Sequence, residues 1–142
     1  MEAVPEKYIL YAEDDLDDRE LVTEMMQKAE FPLHVICVPN GKETIHFLDG
    51  LQKGEPLPCC ILLDVNMPVW NGLHTLEKLK THQRYYELPV FMFSSSLSRA
   101  DHDQSLSLGA VNFIRKPTFS AEMKAVCNQF SLFCQKNIRR KQ

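Results

Sequence analysis

Acidic, hydroxyl and basic side chains follow apolar segments at several widely spaced places in this sequence. Glu13 and Asp14 come after the first segment, Asp64 and Ser94 after two later ones, and Lys116 after the last. Carboxylate oxygens suit Mg²⁺, which keeps several waters or shares a phosphate. An aspartate beside such a cation and an ammonium group can attack phosphorus and form an acyl phosphate. The ammonium and the hydroxyl can then stabilise the charge on the transferred group.

Each of these residues has a plainer explanation when it is taken alone. Acids after a strand often cap the next helix, and Asp15 or Asp17 is predicted to do so here. A single aspartate after a strand, or a lysine before a proline, is a weak signal. A functional role is favoured over a structural one because all of these polar residues lie at the ends of successive apolar segments. The prediction therefore depends on how those segments are arranged.

The apolar segments have the length and composition of buried β-strands, and helical patterns separate them. Asp64 ends the run Cys59-Cys60-Ile61-Leu62-Leu63, which is typical of a strand buried on both faces. Strand and helix patterns alternate five times, which predicts an α/β fold with a doubly wound parallel sheet between two layers of helices. A closed barrel requires more units. The predicted strands span residues 7–12, 33–38, 59–63, 89–94 and 111–115.

In a doubly wound sheet the carboxyl ends of the strands meet at one edge, where such folds hold their ligands. We therefore expect the acids, Ser94 and Lys116 to converge there. Three carboxylates at close range repel one another unless a cation balances them. The sequence thus predicts a Mg²⁺ site with Asp14 and Asp64 as direct ligands, and with Glu13 bound directly or through water.

Two of the helices differ in how well they are predicted to pack. The segment from Ser98 to Leu108 has a thin apolar stripe, so we expect it to be weakly held and to end at Gly109. The last helix is predicted to bury a continuous apolar face made of Phe119, Met123, Val126, Phe130 and Phe133.

Length and composition fit one globular domain. The chain has 142 residues, 44% of them hydrophobic, and we expect a single domain over residues 1–142 with a core from about 7 to 134 and a basic helix end at 135–142. The net charge of −3 does not favour nucleic acid as a partner.

No apolar stretch approaches the roughly 20 residues of a membrane span. Residues 1–7 also lack the apolar region of a signal peptide, so a cytoplasmic protein is expected.

The five cysteines follow no metal-ligand spacing. Cys37, Cys59 and Cys60 lie within apolar strand segments, and we interpret them as small core residues. The five histidines are scattered and form no pair at ligand spacing, so a zinc site is not expected.

These motifs together resemble the receiver domains of two-component response regulators, the CheY-like family, over about residues 7–134. The segment Ile9–Asp15 resembles the family's first strand and acidic pair, and Leu62–Pro68 followed by Asn71-Gly72 resembles its phosphoacceptor strand and loop. Ser94 takes the place of the family's hydroxyl residue, and Lys116-Pro117 that of its lysine and proline. The resemblance implies a flavodoxin-like three-layer sandwich with the strand order 2-1-3-4-5.

The resemblance also implies a role for the acids. Asp64 would accept a phosphoryl group from the phosphohistidine of a sensor histidine kinase or of a histidine phosphotransfer protein. Glu13, Asp14 and Asp64 would hold Mg²⁺, with the main-chain carbonyl of Asn66 as a further ligand. The phosphorylated form would switch a protein-binding surface made by the fourth helix, the fifth strand and the fifth helix.

Further expectations concern the phosphate-binding and switch residues. Ser94 would turn to the phosphate, and Lys116 would pair with it. Phe113, at the family's switch aromatic, would turn inward behind Ser94, although it lacks the hydroxyl that many relatives carry there. The Lys116–Pro117 bond is expected to be cis, against a base rate of about 5–6% for bonds that precede proline.

Three functions are consistent with the sequence. The first is a stand-alone phosphorylation switch that is not an enzyme and acts on a downstream protein target; a homodimer is allowed, and neither nucleic acid nor membrane is expected. The second is a Mg²⁺-dependent phosphatase with an aspartyl nucleophile, although such enzymes usually carry Asp-x-Asp after the first strand and a cap over the substrate. The third is a pseudo-receiver that binds a partner without being phosphorylated, which the complete set of acids, hydroxyl and lysine argues against.

Overall fold

Strands and helices alternate along the described part of the chain, which in this computed structural model comprises residues 4–137. The strands are β1 (Tyr8–Ala12), β2 (His34–Val38), β3 (Cys60–Leu63), β4 (Val90–Ser94) and β5 (Asn112–Arg115). The helices are α1 (Leu16–Gln27), α2 (Gly41–Asp49), α3 (Gly72–Lys80), α4 (Arg99–Ser107) and α5 (Ser120–Lys136). Every predicted strand is present, and each begins one residue later than expected.

The five strands form one parallel sheet in the order β2-β1-β3-β4-β5, which confirms the expected strand order. β3 lies at the centre of the sheet, where Ile61 is in register with Leu10 of β1 on one side and Val90 of β4 on the other. All residues of β1, β3 and β4 are buried, as expected of strands that are covered on both faces. The parallel arrangement brings the carboxyl ends of all the strands to the same edge.

Helices cover both faces of the sheet, so the predicted three-layer arrangement is confirmed. α1 and α5 contribute to one apolar cluster, and α2 and α3 contribute to the other. The apolar helical residues that are almost completely buried are Val22, Met26, Met123, Cys127, Phe130 and Cys134 on the first face and Leu48, Leu76 and Leu79 on the second.

α4 is weakly held by the core, as predicted. Within it Ser105 is buried and the other residues are at least partly exposed, whereas α3, also nine residues long, buries four. Gly109 follows α4 with a φ of 106°, a conformation that favours glycine, and it ends the helical segment as expected.

One packing prediction is wrong, and another missed a disulfide. Phe119 does not join the buried face of α5; it precedes the first helical residue and is 68% exposed. Cys59 is buried in the core as predicted, but its thiol is not free, because a disulfide joins it to Cys134 of α5 with a Cα–Cα distance of 5.5 Å. Within residues 4–137 the remaining cysteines, Cys37, Cys60 and Cys127, are free thiols. Sequence spacing does not reveal the pair, since the two cysteines are 75 residues apart and meet only when α5 packs on the sheet.

The predicted basic helix end at residues 135–142 falls mostly outside the described residues, since α5 ends at Lys136 and residues 138–142 are not among them. None of the helices found between residues 4 and 137 is long and apolar enough to cross a membrane.

Candidate functional site

Four of the predicted residues meet at the carboxyl edge of the sheet. Glu13 follows β1, Asp64 follows β3, Ser94 ends β4 and Lys116 follows β5. The side chains of Lys116, Glu13 and Asp64 are 8%, 2% and 9% exposed, and Ser94 is fully buried. The parallel topology therefore assembles a buried polar cluster from residues that are as many as 103 positions apart.

The Asp64 carboxylate accepts hydrogen bonds on both of its oxygens. The Ser94 hydroxyl donates to Oδ1 over 2.7 Å, and the backbone N–H of Asn66 donates to the same oxygen over 3.2 Å. The Lys116 ammonium donates to Oδ2 over 2.8 Å. Burial alone would raise the pKa of Asp64, but the hydrogen bond and charge of Lys116, helped by Ser94, hold the pKa below its ordinary value. Asp64 is therefore ionised at neutral pH, which is the state that a nucleophile requires.

The Lys116 ammonium directs its three N–H groups at three different carboxylates. It donates to Oε1 of Glu13, to Oδ2 of Asp64 over 2.8 Å and to Oδ2 of Asp18 over 2.9 Å. Burial lowers the pKa of Lys116, but these hydrogen bonds outweigh that effect and raise the pKa above its ordinary value. A permanent positive charge is thus fixed beside Asp64.

Glu13 is a buried acid that several groups hold in place. Its Oε1 accepts hydrogen bonds from the Tyr11 hydroxyl over 3.1 Å and from Lys116, and its Oε2 accepts one from the backbone N–H of Asp15 over 3.1 Å. Burial raises the pKa of Glu13 to about 7; Lys116 opposes this rise and the charge of Asp64 adds to it. Two carboxylates that repel each other therefore lie side by side at the sheet edge.

Asp18 belongs to this cluster, although the sequence interpretation missed it. Asp15, one of the two predicted capping residues, is the N-cap of α1. Its side chain accepts a hydrogen bond from the backbone N–H of Asp18 over 3.1 Å. This cap fixes Asp18 in the first turn of α1, from which its side chain reaches Lys116. The signal that could have revealed it is the cap itself, because an N-cap at Asp15 places the third residue beyond it over the carboxyl edge of the sheet.

A close backbone contact shapes the turn after β3. A Cβ at Gly72 would lie 2.1 Å from the backbone carbonyl oxygen of Asp64, so only glycine fits without a shift. The Gly72 N–H donates to the carbonyl of Val65 over 2.9 Å, and Asn71 caps α3 with its side chain. In the same loop Val69 has a φ of 69°, a left-handed conformation that costs a non-glycine residue about 1–2 kcal/mol. The loop beside Asp64 is thus held in one particular shape.

The predicted metal ligands are only partly brought together. Glu13 and Asp64 share the Lys116 ammonium, whereas Asp14 is exposed and takes part in none of the ion pairs found within residues 4–137. The ligand role of the Asn66 carbonyl stays a prediction. In the described part of the chain, no group of three or more His, Cys, Asp or Glu side chains is arranged to hold a metal ion. The adjacent pair of buried carboxylates still fits Mg²⁺, which binds proteins through one or two carboxylates and completes its shell with water or phosphate.

Phe113 lies in β5 and faces α4. Its half-buried ring contacts the ring of His102, with the centroids 5.6 Å apart. The expected inward turn of Phe113 behind Ser94 stays a prediction, since in this arrangement the ring lies against α4.

A chain of hydrogen bonds connects the site to α4. The backbone N–H of Ser96 donates to Oγ of Ser94 over 3.2 Å, and the Ser96 hydroxyl donates to Oδ2 of Asp101 over 2.9 Å. Asp101 lies in the first turn of α4. Ser96 therefore links the Ser94 hydroxyl to the start of this weakly held helix.

The Lys116–Pro117 peptide bond is trans, so the prediction of a cis bond is wrong; no peptide bond is cis between residues 4 and 137. The trans form is favoured before proline by about 0.5–1 kcal/mol. Lys116 contacts Glu13, Asp18 and Asp64 in this trans arrangement.

Comparisons with known proteins agree with this fold. The family model described as the response regulator receiver domain matches residues 9–128. The two-component response regulator-like protein PRR73 of Oryza sativa subsp. indica is 33% identical over 116 residues, which make up 82% of this chain and 14% of that protein. The two-component response regulator ORR3 of the same subspecies is 26% identical over 125 residues, 88% of this chain and 91% of that protein.

Among solved structures, the Mn²⁺-bound form of the response regulator Rcp1 matches with a TM-score of 0.79 and 25% identity, over 93% of this chain and 96% of that one. The chain thus spans about a seventh of the length of PRR73, but most of the length of ORR3 and Rcp1. The family model covers most of the chain, and the sheet has the strand order that the family resemblance implied. The chain therefore belongs to the response regulator receiver domains of two-component signalling.

Proposed function

We propose that Asp64 is the phosphoryl acceptor of a signalling switch, and that it takes the group from a phosphohistidine on a histidine kinase or a histidine phosphotransfer protein. The observation that carries the proposal is the contact set of this carboxylate. Asp64 accepts hydrogen bonds from Ser94 and Lys116, which are the groups able to bind the oxygens of an attached phosphoryl group. All three side chains are largely shielded from solvent, so their charges interact more strongly than they would in water.

In the proposed transfer, one oxygen of the Asp64 carboxylate attacks the phosphorus atom. A P–O bond forms while the P–N bond to the donor histidine breaks, and the electron pair of the broken bond stays on the imidazole nitrogen. Negative charge is spread over the equatorial phosphoryl oxygens in the transition state. The Lys116 ammonium and the Ser94 hydroxyl lie close enough to Asp64 to stabilise that charge.

Mg²⁺, when bound, supplies positive charge that offsets the acids and the incoming phosphoryl group. Glu13 and Asp64 are the buried side chains that would hold it. Asp14, at its exposed position next to Glu13, and the main-chain carbonyl of Asn66 would complete the protein ligands. Both acids keep their place without metal because Lys116 bridges them.

The proposed output surface consists of α4, β5 and the adjacent side of α5. The chain of hydrogen bonds from Asp64 through Ser94 and Ser96 to Asp101 supports this choice, because it ends on α4, which buries the fewest residues of the five described helices. A turn of the Ser94 hydroxyl toward the phosphoryl group would remove the acceptor of Ser96 and shift the equilibrium of α4. A groove beside α4 offers apolar and basic contacts to a partner and is lined by Leu97, Arg99, His102, Phe113 and Arg115.

The protein is proposed to act stoichiometrically, with one phosphoryl group per chain, and not as an enzyme on a separate substrate. A downstream protein, or a second copy of this chain, would bind the switched surface. A cytoplasmic location, where histidine kinases present their phosphohistidine, is part of the proposal.

Incubation of the purified protein with MgCl₂ and phosphoramidate tests the proposal. We expect intact-mass spectrometry to show the gain of one phosphoryl group per chain, and no gain when EDTA is present. Asp64→Asn should abolish the gain, whereas Asp103→Asn, at an exposed acid of α4, should leave it unchanged. An unmodified wild-type protein, or equal modification of the Asp64 variant, contradicts the proposal. Repeated turnover of a small phosphate ester would favour the phosphatase instead.

A further inference from the structure

The three carboxylates around Lys116 differ in what else they are proposed to bind. Glu13 and Asp64 are proposed ligands of Mg²⁺, and Lys116 donates to both of them. Asp18 is not a proposed ligand, and its Oδ2 lies 2.9 Å from the same ammonium nitrogen. A divalent cation on these carboxylates repels the ammonium and withdraws negative charge from the oxygens that the ammonium binds. Metal binding must therefore loosen the hold of Glu13 and Asp64 on Lys116.

We propose that Asp18 is a positioning residue that keeps the Lys116 ammonium beside Asp64 while Mg²⁺ occupies Glu13 and Asp64. This inference deepens the proposed function and rests on it. With Asp18 present, the ammonium retains a carboxylate partner after the metal arrives. Without Asp18, the ammonium could remain bonded to Glu13 and Asp64, where its positive charge would weaken Mg²⁺ binding. Otherwise it would lose its carboxylate partners while the Lys116 side chain is only 8% exposed, and an unpaired buried charge is costly.

Hydrogen bonds at the start of α1 explain why the Asp18 side chain points to Lys116. Its backbone N–H is bonded to the capping carboxylate of Asp15 over 3.1 Å, which fixes the residue in the first turn. In a capping box, an acid at this third position turns back to the backbone N–H of the N-cap residue. Here the Asp15 N–H already donates to Oε2 of Glu13 over 3.1 Å. The Asp18 carboxylate is thereby left to bind Lys116.

Asp18 is expected to strengthen Mg²⁺ binding in two ways, and an experiment must distinguish them. Its negative charge adds to the acidic potential at the sheet edge, which any nearby carboxylate does. Its hydrogen bond gives the ammonium a carboxylate partner that is not a metal ligand, which requires contact with Lys116. Asp17 provides the comparison, because it is exposed on the same helical turn and, within the described residues, forms no ion pair with Lys116.

Titration calorimetry of MgCl₂ with Asp18→Ala and Asp17→Ala separates these effects. Each variant loses one negative charge from the first turn of α1. We expect D18A to raise the Kd for Mg²⁺ about tenfold, the scale of one charge-assisted hydrogen bond. D17A should raise it less than about twofold, as expected of a screened surface charge. Circular dichroism checks that both variants are folded, and Asp18→Asn, which keeps the side chain's size, serves as the second variant. An equal Kd for D18A and D17A overturns the inference.

The same titration in a Lys116→Met background tests whether Asp18 acts through Lys116. We expect K116M alone to bind Mg²⁺ more tightly than the unmutated protein, because a competing cation is gone. In that background D18A should weaken binding no more than D17A does. A tenfold penalty that persists without Lys116 would show that Asp18 is itself a metal ligand or a structural residue, and the inference would be wrong.

Failure of the proposed function gives a different pattern of results. If the unmutated protein binds no Mg²⁺, both the proposed function and the role of Asp18 are contradicted. If it binds Mg²⁺ and is phosphorylated on Asp64, while D18A and D17A have the same Kd, only the role of Asp18 is contradicted.

Discussion

The hydroxyl of Ser94 donates a 2.7 Å hydrogen bond to Oδ1 of Asp64 from the end of the neighbouring strand. The same hydroxyl oxygen accepts a bond from the backbone N–H of Ser96 over 3.2 Å. Ser94 therefore holds both the candidate acceptor and the loop that leads to α4. Because Ser94 is fully buried, a change at this residue should affect stability as well as signalling.

Ser94→Ala should lower the free energy of unfolding by about 1–2 kcal/mol, because Asp64 and Ser96 each lose a buried hydrogen-bond partner. Urea denaturation followed by circular dichroism measures the change. Ser95→Ala is the matched control, since Ser95 is the next residue and is exposed. We expect that control to stay within about 0.5 kcal/mol of the unmutated protein. If the two variants were equally stable, the bond between Ser94 and Asp64 would contribute nothing to the resting structure.

Gly72→Ala should destabilise the protein by at least about 2 kcal/mol, because the overpacked methyl group meets backbone rather than a flexible side chain. The added Cβ would lie 2.1 Å from the Asp64 carbonyl oxygen. Gly50→Ala is the control, since its Cβ would come no closer than 3.4 Å to other atoms and its φ of −81° suits alanine. Thermal unfolding compares the two, and a neutral G72A would mean that α3 does not begin against the end of β3.

Lys116→Met should lower the free energy of unfolding by about 3 kcal/mol, because removing one partner of a buried ion pair leaves the other charge uncompensated. The loss leaves Glu13 and Asp64 adjacent and without their shared cation. Saturating MgCl₂ should restore more stability to K116M than it adds to the unmutated protein, since the metal would replace the missing charge. Lys124→Met, at an exposed position of α5, should change little with or without MgCl₂. A K116M variant that is indifferent to MgCl₂ would count against a metal site at Glu13 and Asp64.

Amides of α4 should exchange with deuterium at least about tenfold faster than those of α3, because weaker burial lowers the free energy of local opening. The two helices have the same length of nine residues, which makes α3 an internal control. Phosphorylation should change exchange in α4 and leave α3 nearly unchanged. Equal protection of the two helices would remove the physical basis for placing the switch at α4.

The meeting of Glu13, Asp64, Ser94 and Lys116 could be predicted from the sequence because each lies at the carboxyl end of a strand of one parallel sheet. That inference needs only the ends of the apolar segments and the rule that parallel strands end at a common edge. The strand order and the weak burial of α4 were predictable as well, the first from the family resemblance and the second from a thin apolar stripe.

Features that depend on side-chain direction or on packing between distant segments could not be predicted in this way. The N-cap at Asp15 indicates the position of Asp18, but its side chain turns to Lys116 because the backbone N–H of Asp15 already donates to Glu13, a contact that no spacing rule contains. The disulfide between Cys59 and Cys134 forms because α5 packs on the sheet with these two cysteines adjacent, and sequence spacing does not predict that packing. The trans bond before Pro117 shows that a family expectation about one peptide bond does not follow from the local sequence.

Chemical location of the phosphoryl group tests the central claim most directly. The protein is phosphorylated with phosphoramidate and MgCl₂, reduced with borohydride and digested, and the peptide that contains residue 64 is sequenced by mass spectrometry. Borohydride converts an aspartyl phosphate to homoserine, so we predict homoserine at position 64 and unchanged aspartate at positions 14 and 18 in the same digest. Unmodified aspartate at position 64 after phosphate has been incorporated, or homoserine at another position, would contradict the assignment of Asp64 as the phosphoryl acceptor.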